Sequence, residues 1–108
     1  MSLAQSEVIT VFRNRIAEGA ESAYADLAPH IASLASNMPG LVDSKTFTAP
    51  DGERVTIVTF SNQDTHNAWR DHPEHVAARA RGVEEFYSTY SIQVGTVTYS
   101  HHFMKETQ

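Results

Sequence analysis

The eight residues that decide how the second half of this chain folds are Ala68-Trp69-Arg70-Asp71-His72-Pro73-Glu74-His75. They hold the only tryptophan and two of the six histidines. Proline lacks the N–H that a helix interior needs, but it is tolerated in a first helical turn. Pro73 therefore predicts that one helix ends at about Arg70 and that a second begins here, so this region forms two short helices instead of one.

The sequence before this stretch begins with a strand and a long helix. Residues 7–15 are β-favouring, and their alternation places four side chains on one face: Val8, Thr10, Phe12 and Asn14. Residues 20–37 predict a helix with one apolar stripe, formed by Tyr24, Leu27, Ile31, Leu34 and Met38. Pro29 lies inside this helix, and we expect a kink or break there. Pro39-Gly40 ends the helix.

Two strands and a hairpin turn come next. Residues 41–49 and 53–60 are β-favouring, and Pro50-Asp51-Gly52 between them is typical of a tight turn, so the pair is predicted to be antiparallel. Residues 61–64 follow the S-x-x-D pattern of a capping box and predict the start of the helix that ends near Arg70.

The end of the chain predicts one more helix and one more strand. The helix that begins near Pro73 is predicted to reach about Tyr87 or Tyr90, with a buried stripe of Val76, Ala80, Val83, Tyr87 and Tyr90. Residues 91–101 predict a long last strand with a bulge at Gly95. The order β-α-β-β-α-α-β indicates an α+β fold of the ferredoxin-like class with a four-stranded antiparallel sheet.

Composition limits the class of protein. A chain of 108 residues suits a single domain spanning 1–108, and burying one face of its sheet against a second copy would enlarge a small core. The absence of cysteine excludes disulfides and thiolate metal sites. A net charge of −5 argues against a nucleic-acid surface. No apolar run is long enough to span a membrane, and no signal peptide is evident, so a cytoplasmic protein is expected.

The chain resembles the antibiotic biosynthesis monooxygenase family of dimeric α+β barrels. The resemblance covers nearly the whole chain and rests on the order and spacing of five segments: Val11-Phe12-Arg13-Asn14-Arg15, Met38-Pro39-Gly40, Asp51-Gly52-Glu53, the stretch from Ala68 to His75, and Phe86-Tyr87-Ser88-Thr89-Tyr90. It implies a homodimer in which two sheets pack face to face and the last strand reaches the partner. It also implies a ligand pocket between sheet and helices in each subunit.

The family resemblance implies two kinds of chemistry. Some members oxidise aromatic quinols or anthrones with molecular oxygen and no cofactor, and a second branch degrades haem. The haem branch uses an asparagine, a tryptophan and a later histidine, and this chain matches the first two at Asn14 and Trp69. The position of the haem ligand falls on Arg79, which is not an axial iron ligand. His75, one helical turn earlier, could replace it only if the haem sat differently.

Three residues are the catalytic candidates, each with a structural alternative. Asn14 could hydrogen-bond an oxyanion, or it could be an asparagine satisfied by backbone at the end of a strand. Trp69 could stack on an aromatic substrate, or it could be a core residue. His75 could act as a general base, while a histidine at a helix start is also common on the surface. His72 could also act as a general base, and its structural alternative is a surface histidine that helps to cap the helix.

Three further residues are candidates for substrate binding. Arg79 could pair with an anionic group or be a surface residue, and Phe86 and Tyr87 could line the pocket or belong to the core. A metal site is not expected. His72 and His75 share a helix face, but His101 and His102 are adjacent on a predicted strand and point to opposite faces, and no carboxylate clearly completes a set.

These residues support three functional hypotheses. The first is a cofactor-independent monooxygenase that oxidises a small aromatic quinol or anthrone with O2, working as a homodimer without nucleic acid or membrane partners. The second is a non-catalytic dimeric domain that binds a small molecule in the same pocket. The third is a haem-binding or haem-degrading protein, which the arginine at position 79 disfavours.

Overall fold

A computed structural model describes residues 6–106. The first strand, β1, spans Val8–Ile16 and is followed by helix α1, Glu21–Ser36. Strands β2, Leu41–Thr48, and β3, Arg54–Phe60, form the hairpin. Helices α2, Gln63–Arg70, and α3, Pro73–Arg81, precede a π-helical segment, Gly82–Phe86, and the last strand, β4, Tyr87–Thr96. The predicted order of elements is confirmed.

The four strands form one antiparallel sheet in the order β2-β3-β1-β4. This is the order of the ferredoxin-like fold, so the predicted fold class is confirmed. In the register Val8 pairs with Phe60, and Asn14 pairs with Arg54. The hairpin turn is closed by Gly52 at φ +92°, in the left-handed region that favours glycine.

The break between α2 and α3 lies where the sequence predicts it. Pro73 is the first residue of α3, and the side chain of His72 caps that helix by accepting a hydrogen bond from the backbone N–H of Glu74 at 3.2 Å. The capping box of α2 is one residue later than predicted. It is formed by Asn62 and Thr65, not by Ser61 and Asp64, because the Asn62 carboxamide accepts from the Thr65 N–H at 2.9 Å.

The expected break of α1 at Pro29 is not found, because the helix is continuous from Glu21 to Ser36. The predicted apolar stripe of α1 does face the sheet. Ile31, Leu34 and Met38 pack against a buried cluster of Ala35, Phe60 and Trp69.

The predicted extent of the third helix is wrong. The α-helix ends at Arg81, and the chain reaches the sheet at Tyr87. The predicted stripe is not buried, since Val76 and Val83 are exposed, as is Tyr90 on β4. Gly82, the first residue of the π-helical segment, lies close to Tyr87, and a Cβ at this position would overlap the Tyr87 ring.

The last strand also differs from its prediction. It starts at Tyr87 and ends at Thr96, because its partner β1 begins at Val8 and no other strand within residues 6–106 lies beside the chain beyond Val97. No bulge is found at Gly95, which pairs in register with Ile9. The irregularity lies at the other end, between the pairs Arg15–Thr89 and Ile16–Tyr87, so that Ser88 is the extra residue.

The sheet and helices form two layers, and the face of β1 that carries Val8, Thr10, Phe12 and Asn14 lies toward the helices. No helix within residues 6–106 is long and apolar enough to cross a membrane. The expected cytoplasmic location stays a prediction. The predicted domain span of 1–108 includes residues 1–5 and 107–108, which lie outside the described part of the chain.

Candidate functional site

A cavity of about 450 Å³ lies between the sheet and the three helices. This volume is within the range of small-molecule sites, roughly 300–1,000 Å³. Its walls are aromatic and aliphatic, with a few polar groups among them. Lining side chains include Phe12, Tyr24, Arg54, Phe60, His66, Trp69, His75, Arg79, Phe86, Tyr87 and Tyr90. The cavity is open beside β4, where Tyr90 and Ile92 are about half exposed.

Trp69 and His75 form one wall of this cavity. Their rings are stacked, with centroids 4.1 Å apart and planes inclined by 11°. Trp69 lies on the last turn of α2 and His75 on the first turn of α3, so the break at Pro73 folds α3 back and brings the two rings together. The structure thus places both predicted residues at the cavity.

The imidazole of His75 has a defined proton arrangement. Its Nδ1 lies 3.0 Å from the backbone oxygen of Trp69, and a carbonyl oxygen can only accept, so Nδ1 carries the proton. Burial of the ring lowers the pKa of His75 below its usual value, and the hydrogen bond to Trp69 opposes this only in part. His75 is therefore neutral near pH 7 and keeps a free lone pair on Nε2.

The opposite end of the cavity is an aromatic cluster around a guanidinium group. Arg54 lies 4.8 Å from the ring centroid of Tyr24, and Tyr24 makes edge contacts with Phe86 and Tyr87. Burial raises the pKa of Tyr87 to about 12, so its hydroxyl stays protonated and can donate a hydrogen bond. Phe86 and Tyr87 both line the cavity, as the sequence predicts, but they reach it from the π-helix and β4.

Asn14 is buried with 2 % of its surface exposed, and it is not one of the cavity-lining residues. Its Oδ1 has no hydrogen-bond partner in the described part of the chain. Asn14 pairs with Arg54 and Tyr90 on the neighbouring strands, and both of these line the cavity. Val8 pairs with Phe60, which packs with Trp69 and so marks the end of the cavity where His75 lies. Asn14 is six residues further along β1 than Val8, a distance of roughly 20 Å. Asn14 and His75 are therefore placed toward different ends of the cavity.

Arg79 lines the cavity next to the Trp69–His75 wall. Its Nη2 donates a hydrogen bond to the backbone oxygen of Arg70 at 3.0 Å, which ties α3 to the end of α2. Within residues 6–106, no group of three or more His, Cys, Asp or Glu side chains is arranged to hold a metal ion.

Several cavity residues could not be assigned to the site from the sequence, among them His66, Tyr24 and Arg54. His66 is buried and packs edge-on against Phe60, and its position three residues before Trp69 on α2 could have indicated a shared face. Tyr24 was assigned to the helix stripe without a role in the site. The sequence around Arg54 gives no indication of a cavity residue, since an arginine just after a hairpin turn is typically on the surface.

A profile of the antibiotic biosynthesis monooxygenase family matches residues 7–81. The chain belongs to this family. An uncharacterized relative in Bacillus subtilis (strain 168), YqjZ, is 30% identical over 87 residues, which are 81% of this chain and 76% of that protein. The family match over residues 7–81 includes α2, α3 and the Trp69–His75 wall, so the resemblance seen in the sequence is confirmed.

Solved structures share the fold of this family. Rv0793 from Mycobacterium tuberculosis superimposes with a TM-score of 0.79 at 18% identity, covering 90% of this chain and all of that one. SnoaB from Streptomyces nogalater, a cofactor-independent oxygenase, superimposes with a TM-score of 0.72 at 18% identity, covering 88% of this chain and 96% of that one. A putative antibiotic biosynthesis monooxygenase from Nitrosomonas europaea gives a TM-score of 0.74 at 9% identity, covering 92% and 97%. At these identities the likeness shows the fold.

Proposed function

We propose that this family member is a cofactor-independent monooxygenase that oxidises a small aromatic quinol or anthrone with O2. The observation that carries the proposal is a neutral imidazole stacked on the only tryptophan in the wall of an aromatic cavity. Family membership and the structural likeness to a cofactor-independent oxygenase support it.

This reaction requires a base from the protein, and the electrons come from the substrate. Nε2 of His75 accepts a proton from the substrate, and the resulting electron-rich anion reduces O2 directly. One oxygen atom forms the new carbonyl of the product, and the other leaves as water with the two hydrogens that the substrate loses. The substrate supplies all the electrons, so the reaction balances without another reductant.

The remaining candidates position and stabilise the substrate. The stacked pair of Trp69 and His75 forms an aromatic wall beside the substrate ring, and Phe86 and Tyr87 close the other end and exclude water. Asn14 does not line the cavity, so it acts by positioning its strand neighbours Arg54 and Tyr90, which do. Arg79 contacts a polar edge of the ring system. The proposal therefore gives Asn14 a positioning role beside Arg54, and it gives His75 the proton transfer at the other end of the cavity.

The test is oxygen uptake with reduced naphthoquinols and anthrones, without added metal or flavin. Wild type is compared with His75→Gln and Asn14→Ala, and with His30→Gln as a matched control, since His30 lies on the outer side of α1 against Glu74. We expect uptake above background, a loss of at least about 100-fold in His75→Gln, and no change in His30→Gln. Circular dichroism confirms folding of each variant.

Two results would contradict this function. Uptake that survives in His75→Gln would remove the assigned base. No uptake with any substrate, combined with tight binding of the oxidised ring compounds, would favour the non-catalytic binding domain. A hemin titration separates the third hypothesis, because an axial histidine gives a strong and shifted Soret band.

We propose also that the chain works as a homodimer. The sheet face away from the helices carries half-buried Ile9, Val11, Val55 and Ile57 and the exposed Phe47, and the segment after β4 exposes Tyr99, Phe103 and Met104. Pairing of two sheets would cover these apolar side chains.

Light scattering on the wild type should give twice the chain mass, and Val11→Lys should reduce it. Val76→Lys, a change of the same kind on exposed α3, should leave the mass unchanged.

A further inference from the structure

The arginines of this chain differ in their partners. Four of the six form ion pairs with carboxylates: Arg13 with Glu53, Arg15 with Asp51, Arg70 with Asp71, and Arg81 with Glu85. Arg54 and Arg79 form no ion pair within residues 6–106. Both of these arginines line the cavity.

Arg54 is the more enclosed of the two. It is the first residue of β3, its side chain is partly buried, and its Nε has no hydrogen-bond partner in the described region. The guanidinium lies over the ring of Tyr24, and Nη2 is 3.4 Å from the Tyr24 hydroxyl. A cation that is removed from water without a charged partner costs free energy, so an anion in the cavity would be stabilised here.

The rest of the cavity has the same electrostatic character. Among the described residues that line it, none is an aspartate or glutamate, although the chain has 13 acidic residues and a net charge of −5. The charged residues among them are Arg54 and Arg79, together with Arg70, which is ion-paired with Asp71. A cleft with low-dielectric walls and charges of one sign concentrates ligands of the opposite sign.

We infer that the ligand of this cavity is an aromatic compound with a carboxylate group, and that Arg54 binds this carboxylate. The inference rests on the proposed function in taking the cavity as the substrate site. The two Nη groups of the guanidinium offer parallel N–H donors in the planar arrangement that matches a carboxylate. The protonated hydroxyl of Tyr87 lies in the same cluster and can donate to the same group.

This assignment also orients the ligand. Arg54 and Phe60 are the two ends of β3, and Phe60 packs with Trp69. A carboxylate at Arg54 therefore points the ring system along the cavity toward Trp69 and His75. The oxidisable carbon lies at the end of the ligand away from its acid group, so Arg54 determines specificity and His75 removes the proton.

The test is calorimetric binding of a matched pair of probes, 2-naphthoate and the neutral 2-naphthamide, to the full chain. Wild type should bind the acid about tenfold or more tightly than the amide, as expected for a hydrogen-bonded charged group. Arg54→Gln should abolish this preference, because it should weaken binding of the acid about tenfold more than binding of the amide. Arg54→Lys should retain part of it. The control is Arg13→Gln, because Arg13 is ion-paired on the other face of the sheet.

Several outcomes would overturn the inference. These are equal binding of acid and amide by wild type, no binding of either, or a preference that is lost in Arg79→Gln and kept in Arg54→Gln. An equal loss of both probes in Arg54→Gln would indicate a structural role. Because binding needs no turnover, an acid preference without oxygen uptake would contradict the proposed function alone. Oxygen uptake without an acid preference would contradict the inference alone.

Discussion

The ring of His75 is held by Trp69 through both side chain and backbone: the two rings stack at 4.1 Å, and Nδ1 of His75 donates to the Trp69 carbonyl oxygen at 3.0 Å. The stack fixes the plane of the imidazole, and the hydrogen bond fixes its tautomer. One residue therefore determines both the position and the protonation of the proposed base.

Burial of His75 makes the stability of the protein depend on pH. Its pKa is lowered in the folded state, so as the pH falls below about 6.5 the unfolded chain takes up the proton first. The contribution of neutral His75 to the stability of the folded protein is fully present above that pH, and it is lost as the pH falls through the pKa of the folded state. We expect the melting temperature of wild type to fall more than that of His75→Gln between pH 7.5 and pH 5, measured by circular dichroism. Parallel curves would contradict the lowered pKa.

Asn14 offers a test that separates function from stability. Its buried Oδ1 has no partner within residues 6–106, and an unpaired buried polar group costs free energy. Asn14→Leu, which is similar in volume, should leave the free energy of unfolding unchanged or raise it by about 1 kcal/mol, while reducing oxygen uptake. Urea denaturation measures the first effect. A clear loss of stability would show that the carboxamide has a structural partner.

The cap of α2 can be assigned by a pair of substitutions. Asn62 caps this helix, so Asn62→Ala should destabilise the protein by about 1 kcal/mol. Ser61→Ala should cost less, because its hydroxyl is 3.5 Å from Thr65 and caps no backbone N–H. Chemical denaturation of the two variants decides between the cap in the structure and the Ser61 cap that the sequence predicts. A larger loss in Ser61→Ala would favour the latter.

Gly82 lies against the ring of Tyr87, and a methyl group there has no room. Gly82→Ala should destabilise the protein by about 1–3 kcal/mol, the usual cost of overpacking, despite the better helix propensity of alanine. Because Tyr87 lines the cavity, probe binding should weaken as well. Gly95→Ala is the matched control, since a Cβ at Gly95 meets no atom within 4 Å. Equal melting temperatures for the two variants would contradict the close approach.

The sequence predicts the order of elements because each has a local signal. Alternation marks β1, Gly52 marks the hairpin, and Pro73 marks the break between α2 and α3. The end of α3 has no such signal. Val83, Tyr87 and Tyr90 fit a helical spacing, but Tyr87 and Tyr90 are equally compatible with a strand, and only pairing with β1 decides between the two.

The candidate site is predictable to a similar degree. Trp69 and His75 can be found because both lie near Pro73, within one short stretch of sequence. Arg54 cannot be found, because its enclosure depends on Tyr24, thirty residues earlier, and on the approach of α1 to the sheet. Arg54 lines the cavity only because of tertiary contacts, and no local sequence pattern predicts these contacts.

The chain passes from the π-helical segment Gly82–Phe86 into β4 without a loop. A single deleted or inserted residue here would move β4 by one position, unless the extra residue at Ser88 took up the change. Side chains alternate along a strand, so such a slip would turn Tyr90 and Ile92 away from the cavity and bring their neighbours in. Natural variants of this junction should therefore differ by substitution and keep its length, and engineered versions should leave the spacing between Arg81 and Tyr90 intact.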